Sequence, residues 1–216
     1  MKAFIFDMDG VIFDSERLYI ECCIEVAKEL GMERIVETCH RCIGVTTDVT
    51  RAILLETYQD AELVERFREQ SVALVRSRIR DGLLEMKPGV RELLDCLSDL
   101  GCRMAVASST RTDIVEKELS DAGLRGYFSA VVGGDQAQRS KPNPDIFLKA
   151  AELLGEKPEN CVVIEDSFNG IRAAKAAGMT AVMVPDQLEP DEEIRTLADH
   201  ILISLLDVKE RIENRK

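Results

Sequence analysis

Phe4-Ile5-Phe6-Asp7-Met8-Asp9-Gly10-Val11-Ile12-Phe13-Asp14 is the stretch whose reading decides the fold. Residues 3–6 form a short apolar run that predicts a buried central strand, and Asp7 and Asp9 follow where the run ends. Side chains two apart on an extended segment project to the same side. Two carboxylates so close repel each other unless a cation lies between them or one stays protonated, and either outcome is useful chemistry. Gly10 then lets the backbone turn sharply. Taken alone, the stretch reads equally well as a strand followed by an acidic turn. A calcium-binding EF-hand loop fits poorly, because its alternating acids do not continue past Gly10 and its closing Glu is missing.

The 216 residues suit one large domain or a domain with an insertion, and 45% apolar residues can bury a substantial core. A formal net charge of -12 disfavours nucleic-acid or anionic-membrane binding, which need a basic face. The opening apolar run is only a strand long and leads straight into acids, so it does not read as a secretion signal. No run approaches the roughly 18 apolar residues of a membrane span. The expectation is a cytoplasmic protein with neither a nucleic-acid nor a membrane partner, a monomer or weak homodimer. Seven cysteines without a framework suit a reducing compartment. Cys39-His40-Arg41-Cys42 has zinc-knuckle spacing, but the only other His, His200, lies in a different segment and no second pair completes four ligands.

Beyond Asp14 or Ser15, either of which can cap a helix, Ile20, Cys23, Ile24 and Ala27 follow helical spacing up to a stop at Gly31. A second helix is expected to start near Thr47 or Asp48 and to bury Val49, Ala52 and Ile53. A third, from about Asp60, places Leu63, Phe67, Gln70, Ser71 and Leu74 on one face. No strand is evident between Ser15 and Arg80, so residues 15–82 read as an all-helical cap inserted into a core made of 1–14 and 83–216. From Val90 helix and strand alternate, which argues for a parallel Rossmann-like sheet with helices on both faces. Strands are expected over 103–107, 130–132, 161–164, 181–184 and 201–203, with helices over 90–100, 112–122, 144–154 and 170–177. An acidic loop follows around 186–193, and a polar helix ends the chain.

Open parallel sheets bind ligands outside the carboxyl ends of their strands. Asp7 and Asp9, Ser108, and Glu165 with Asp166 each follow an apolar run, and Lys141 precedes the helix at Pro144. Together they offer acids suited to a hard divalent cation and a hydroxyl and an ammonium suited to phosphate. Individually each has a plainer reading. Ser109 and Thr110 read at least as well as helix caps, and Glu165-Asp166-Ser167 suits the start of the next helix. Their common placement on one edge is what those readings leave unexplained.

Four motifs stand in order: Phe6-Asp7-Met8-Asp9-Gly10-Val11, Val106-Ala107-Ser108, Ser140-Lys141-Pro142, and Val163-Ile164-Glu165-Asp166-Ser167 with Asn169-Gly170. In these the chain resembles the haloacid dehalogenase superfamily, in the branch of phosphatases and sugar phosphomutases with a helical cap. The resemblance implies that Asp7 is a nucleophile that becomes an aspartyl phosphate, and that Asp9 is the acid to the leaving alcohol and then the base for water. It further implies that Ser108, Ser109 and Lys141 hold the phosphate. Mg2+ would be bound by Asp7, Asp9 through its backbone carbonyl, and Asp166, with Glu165 a ligand or just behind one. Members resembling the dehalogenases lack the second acid, so Asp9 favours a phosphate substrate.

The phosphomutases of this branch generally carry a His near the position of Tyr19 and a Lys-Gly-x-x-Arg loop in the cap. Here Tyr19 and Ile43-Gly44-Val45-Thr46-Thr47 stand instead, which favours hydrolysis over mutase chemistry. The expectation is therefore a Mg2+-dependent phosphatase of a small phosphorylated metabolite, a sugar phosphate first. Glu16, Tyr19, Gly44 and Val45 are candidates for its substrate pocket, with surface or packing roles as the plainer alternative. A sugar phosphomutase is the alternative enzyme, and a noncatalytic phosphate-binding protein the alternative from another class.

Overall fold

The computed structural model describes residues 3–43 and 47–214, with Thr47 described by its backbone only. The apolar run is strand β1 (Ala3–Phe6), buried along its whole length. Five more strands follow: β2 (Arg103–Ala107), β3 (Ala130–Val132), β4 (Cys161–Glu165), β5 (Thr180–Met183) and β6 (His200–Ile201). They form one sheet in the order β3-β2-β1-β4-β5-β6, and every pairing is parallel. Strands so apolar need both sheet faces covered. α7 (Asp145–Leu154) packs across β1, β2 and β3, and α8 (Phe168–Ala176) against β4 and β5. On the other face Phe4, Val162 and Val182 meet Val208 and Ile212 of α10 (Leu205–Glu213), which packs against α5 (Val90–Asp99). The expected Rossmann-like parallel sheet with helices on both faces is borne out.

The register positions the chemistry. Phe6 lies opposite Val106 on one side and Ile164 on the other. The residues that follow those three therefore leave the sheet at the same level, at its carboxyl edge.

The chain divides into two compact units, residues 1–13 with 86–216, and residues 14–85. The second unit contains α1 (Ser15–Leu30), α2 (Ile35–Cys42), α3 (Thr47–Tyr58) and α4 (Ala61–Arg80) around a cluster that includes Cys23, Val26, Leu54, Val64 and Phe67. α1 stops at Gly31 in the left-handed conformation, and the Asp60 side chain caps α4 by accepting from Leu63 N at 3.0 Å. Asp14 precedes α1 without capping it; its carboxylate accepts from Arg17 Nε at 2.6 Å.

Several local expectations are corrected. Val49 and Ala52 are exposed and Ile53 is half-buried, and α3 turns Leu54 inward instead. The run Ile53-Leu54-Leu55 is apolar all round and gives no helical phase. In α4, Gln70 is exposed and Val64 joins Phe67 and Ser71 on the buried face. α2 had no clear signal: its first residues are β-branched, and it follows Arg34, which has left-handed backbone (φ 61°) and whose side chain makes no capping hydrogen bond. It carries Cys39 and Cys42, and all seven cysteines are free. The acidic loop contains the start of α9 (Glu192–Leu197), and the last strand lies at 200–201, leaving Ile203 91% exposed. Among the described residues no helix is long and apolar enough to cross a membrane.

Candidate active site

Asp7 leaves β1 at the sheet edge with its amide donating to Ile164 O at 2.9 Å, and only 7% of the residue is exposed. Burial pushes its carboxyl up to about 7. Lys141 works against that shift, and the Glu165 and Asp9 charges add to it. Lys141 donates to Asp7 Oδ1, to Glu165 Oε1 at 2.8 Å and to the Ala107 carbonyl at 3.3 Å, which uses all three of its N–H bonds. Burial opposes the lysine charge, yet the Asp7 and Glu165 carboxylates beside it hold its pKa above the usual lysine value. Its ammonium also lies 4.8 Å from the ring centroid of Phe147.

Glu165 is 1% exposed, and both of its carboxylate oxygens are engaged within the protein. Oε1 accepts from Lys141, and Oε2 accepts from Ser167 N at 2.7 Å. It also fills the space above Gly170, where a Cβ would collide with the carboxylate. Ser167 in turn caps α8, its Oγ accepting from Gly170 N at 3.0 Å. The geometry gives Glu165 the work of holding Lys141.

Across the site, Ser108 is fully buried, with its amide donating to Val132 O at 3.0 Å. Its hydroxyl donates to Asp9 Oδ2 at 3.3 Å, and the Thr110 hydroxyl donates to the same oxygen at 3.0 Å. Ser109 between them is exposed. Neither Ser109 nor Thr110 caps α6 (Thr112–Asp121); the Thr112 amide donates instead to Asp135 Oδ1 at 2.7 Å, from the loop after β3. Thr110 as a partner of Asp9 is the residue that sequence reasoning missed.

Four carboxylates, Asp7, Asp9, Glu165 and Asp166, thus stand at strand ends of one sheet edge, and Lys141 pairs with two of them, Asp7 and Glu165. Gly10 has φ 77°, and a Cβ there would strike the Asp166 carboxylate, so glycine lets Asp166 lie directly against the Asp9–Gly10 backbone. Among the described residues no three His, Cys, Asp or Glu side chains converge closely enough to hold a metal alone. The Asp7 and Asp166 carboxylates are hard oxygen donors that fit Mg2+, which keeps several waters and takes only one or two protein carboxylates.

In the other unit, Glu16 is half-buried in the first turn of α1. Tyr19, also half-buried, lines an open cavity of about 520 Å³ with Thr50, Arg68 and Arg76. Gly44 and Val45 lie outside the described residues.

A phosphorylated carbohydrates phosphatase from Thermotoga maritima is 37% identical to this chain, over 84% of each. A fructose-1-phosphate phosphatase from Escherichia coli is 38% identical, over 83% of this chain and 94% of its own. The solved structure of a Thermotoga maritima protein provisionally assigned as a beta-phosphoglucomutase superposes with a TM-score of 0.82, at 32% identity over 99% of both chains. The model of the haloacid dehalogenase-like hydrolases matches residues 4–184, from β1 through β5 and every strand-end residue described above, and the chain belongs to that family.

Proposed function

We propose that this hydrolase is a Mg2+-dependent phosphatase that removes phosphate from a small phosphorylated sugar through an aspartyl phosphate at Asp7. The observation that carries the reading is the pairing of a buried carboxylate at the end of β1, fixed by Lys141, with a second carboxyl two residues on. Names of relatives that act on phosphorylated carbohydrates and on fructose 1-phosphate support a sugar phosphate as substrate.

Lys141 holds Oδ1 of Asp7, which leaves Oδ2 to attack phosphorus. Splitting hydrolysis into two displacements at a carboxylate makes each step easier. Asp9 supplies a proton to the leaving alcohol and then accepts one from the attacking water. Ser109, exposed at the end of β2, has a hydroxyl that suits the phosphate's spread negative charge, while the single Ser108 hydroxyl proton is given to Asp9. Asp7, the backbone carbonyl of Asp9, and Asp166 would hold Mg2+. When bound, the metal would offset the repulsion between the nucleophile and the phosphate. Glu165 keeps Lys141 in place.

Phosphate release across a panel of phosphorylated metabolites tests this, with Mg2+ and with chelator, for the wild type and Asp7→Asn. The expected result is metal-dependent turnover, best on sugar phosphates and abolished in the variant. Turnover that survives Asp7→Asn overturns the covalent route. Isomerisation of a sugar phosphate with a bisphosphate primer, and no net release, would replace the phosphatase by a mutase.

A further inference from the structure

Thr110 belongs to none of the motifs, yet it makes the shorter of the two hydroxyl contacts to Asp9. Its Oγ1 donates to Asp9 Oδ2 at 3.0 Å, against 3.3 Å from Ser108 Oγ. The two hydroxyls are linked, because Thr110 N donates to Ser108 Oγ at 3.0 Å, which occupies a lone pair there and leaves the serine proton for Asp9. Thr110 is itself fastened from behind. Its carbonyl accepts from Gly134 N at 2.9 Å, and two residues on, Thr112 N and Oγ1 both donate to Asp135 Oδ1, at 2.7 and 2.8 Å. The loops after β2 and β3 are thereby locked together. The Thr110 hydroxyl does not cap α6, whose N-cap is Arg111 with no side-chain bond.

Both hydroxyls converge on one oxygen of Asp9. An oxygen that accepts two O–H bonds has its lone pairs occupied, so Oδ1 is the oxygen of Asp9 left open to exchange a proton with a substrate. We infer that Thr110 is a positioning residue: together with Ser108 it holds Asp9 by Oδ2 and thereby leaves Oδ1 as the atom that delivers the proton. This rests on the phosphatase reading above. In the first displacement the bond from Asp7 Oδ2 to phosphorus forms and the bond from phosphorus to the ester oxygen breaks. The Oδ1–H proton of Asp9 passes to that oxygen, giving a neutral alcohol and an Asp9 carboxylate. No electrons change hands and no other reactant is needed.

The leaving group separates this role from a merely structural one. A sugar alkoxide needs the proton, whereas nitrophenolate leaves without it. kcat/KM reports the first displacement for both esters, so it should be measured for Thr110→Val and Thr110→Ser on the best sugar phosphate and on p-nitrophenyl phosphate. For Thr110→Val the expected loss is about 10- to 100-fold on the sugar phosphate and under about threefold on the aryl ester. Thr110→Ser, which keeps the hydroxyl, should recover most of the loss, and the melting temperatures should stay together. An equal loss on both esters, or no loss on either, with an active wild type overturns the positioning role alone. A wild type inert on every ester overturns the phosphatase reading and this inference with it.

Discussion

Asp7 prefers its proton more than an ordinary aspartate does, because burial pushes its carboxyl up to about 7 even with Lys141 beside it. A raised folded-state value means the acid form persists until the pH rises through about 7. A metal binds the carboxylate and not the acid. Mg2+ binding should therefore release a proton near neutrality, and affinity should weaken about tenfold per pH unit below 7 while levelling off above it. Calorimetric titration of Mg2+ at pH 6 and pH 8, in buffers of different ionisation heat, reads both quantities; equal affinity at the two pH values would mean that Asp7 is already ionised or is not a ligand. The strand-end positions of Asp7, Asp9, Ser108, Glu165 and Asp166 were legible because each ends an apolar run. The partnership of Thr110 with Asp9 was not, since the two lie 101 residues apart and Thr110 is locally indistinguishable from a helix cap. The Glu165 contact with Gly170 is hidden for a related reason: nothing in the letters Asn169-Gly170 says that a carboxylate fills the space a Cβ would need.

At the level of elements, α6 buries Val115, Glu118 and Leu119, so a carboxyl stands where its amphipathic pattern calls for an apolar side chain. Burial, with Asp9 repulsion added, pushes Glu118 from 4.5 up to about 7. The sign follows from the unfolded chain. Below about 4.5 the group is protonated in both states and imposes no penalty; between about 4.5 and 7 the unfolded chain ionises while the folded protein keeps the proton, so stability falls across that window and levels off above it. Removing the charge with Glu118→Gln should therefore stabilise the protein at pH 8 by about 1–2 kcal/mol, after allowance for solvent screening. It should do little at pH 5. Scanning calorimetry should show a rise in Tm of about 2–8 °C at the higher pH, and an equal rise at both would indicate packing instead of charge. The elements that sequence missed share a physical cause. α2 and α9 are short, with eight and six residues, which is too few turns for a helical repeat to establish itself in the sequence. α9 is held by a local cap, Asp191 Oδ1 accepting from Ile194 N at 2.8 Å. α3 was found, but its apolar triplet left its rotation to be set by Leu54 packing into the cluster with Val64 and Phe67.

For the molecule as a whole, the alternation of helix and strand after Val90 made the parallel sheet readable, while the strand order, with β1 between β2 and β4, depends on tertiary pairing that no local pattern encodes. That central position has a consequence for how the larger unit is built. Its chain leaves after Phe13 and returns at Met86, and those two residues pair as an antiparallel bridge. Lys87 N donates to Ile12 O at 2.9 Å, and the Lys87 ammonium pairs with Asp186 at 2.5 Å. Exit and return are thus tied to the core by its own bonds. Among the described residues, the apolar cluster joining the sheet to α7 and α8 is built from residues of this unit. Closing the short gap with a Gly-Ser turn costs little loop entropy, which grows only slowly with length. A chain of 1–13 joined to 86–216 by such a turn should therefore fold alone, with cooperative thermal unfolding and dispersed amide resonances. Inorganic phosphate with Mg2+ should shift the amides of Ser108, Ser109 and Gly10. A molten species with undispersed resonances would show instead that residues 14–85 are needed to complete the core, whereas a folded chain deaf to phosphate would leave the fold intact and count against the anion site at the end of β2.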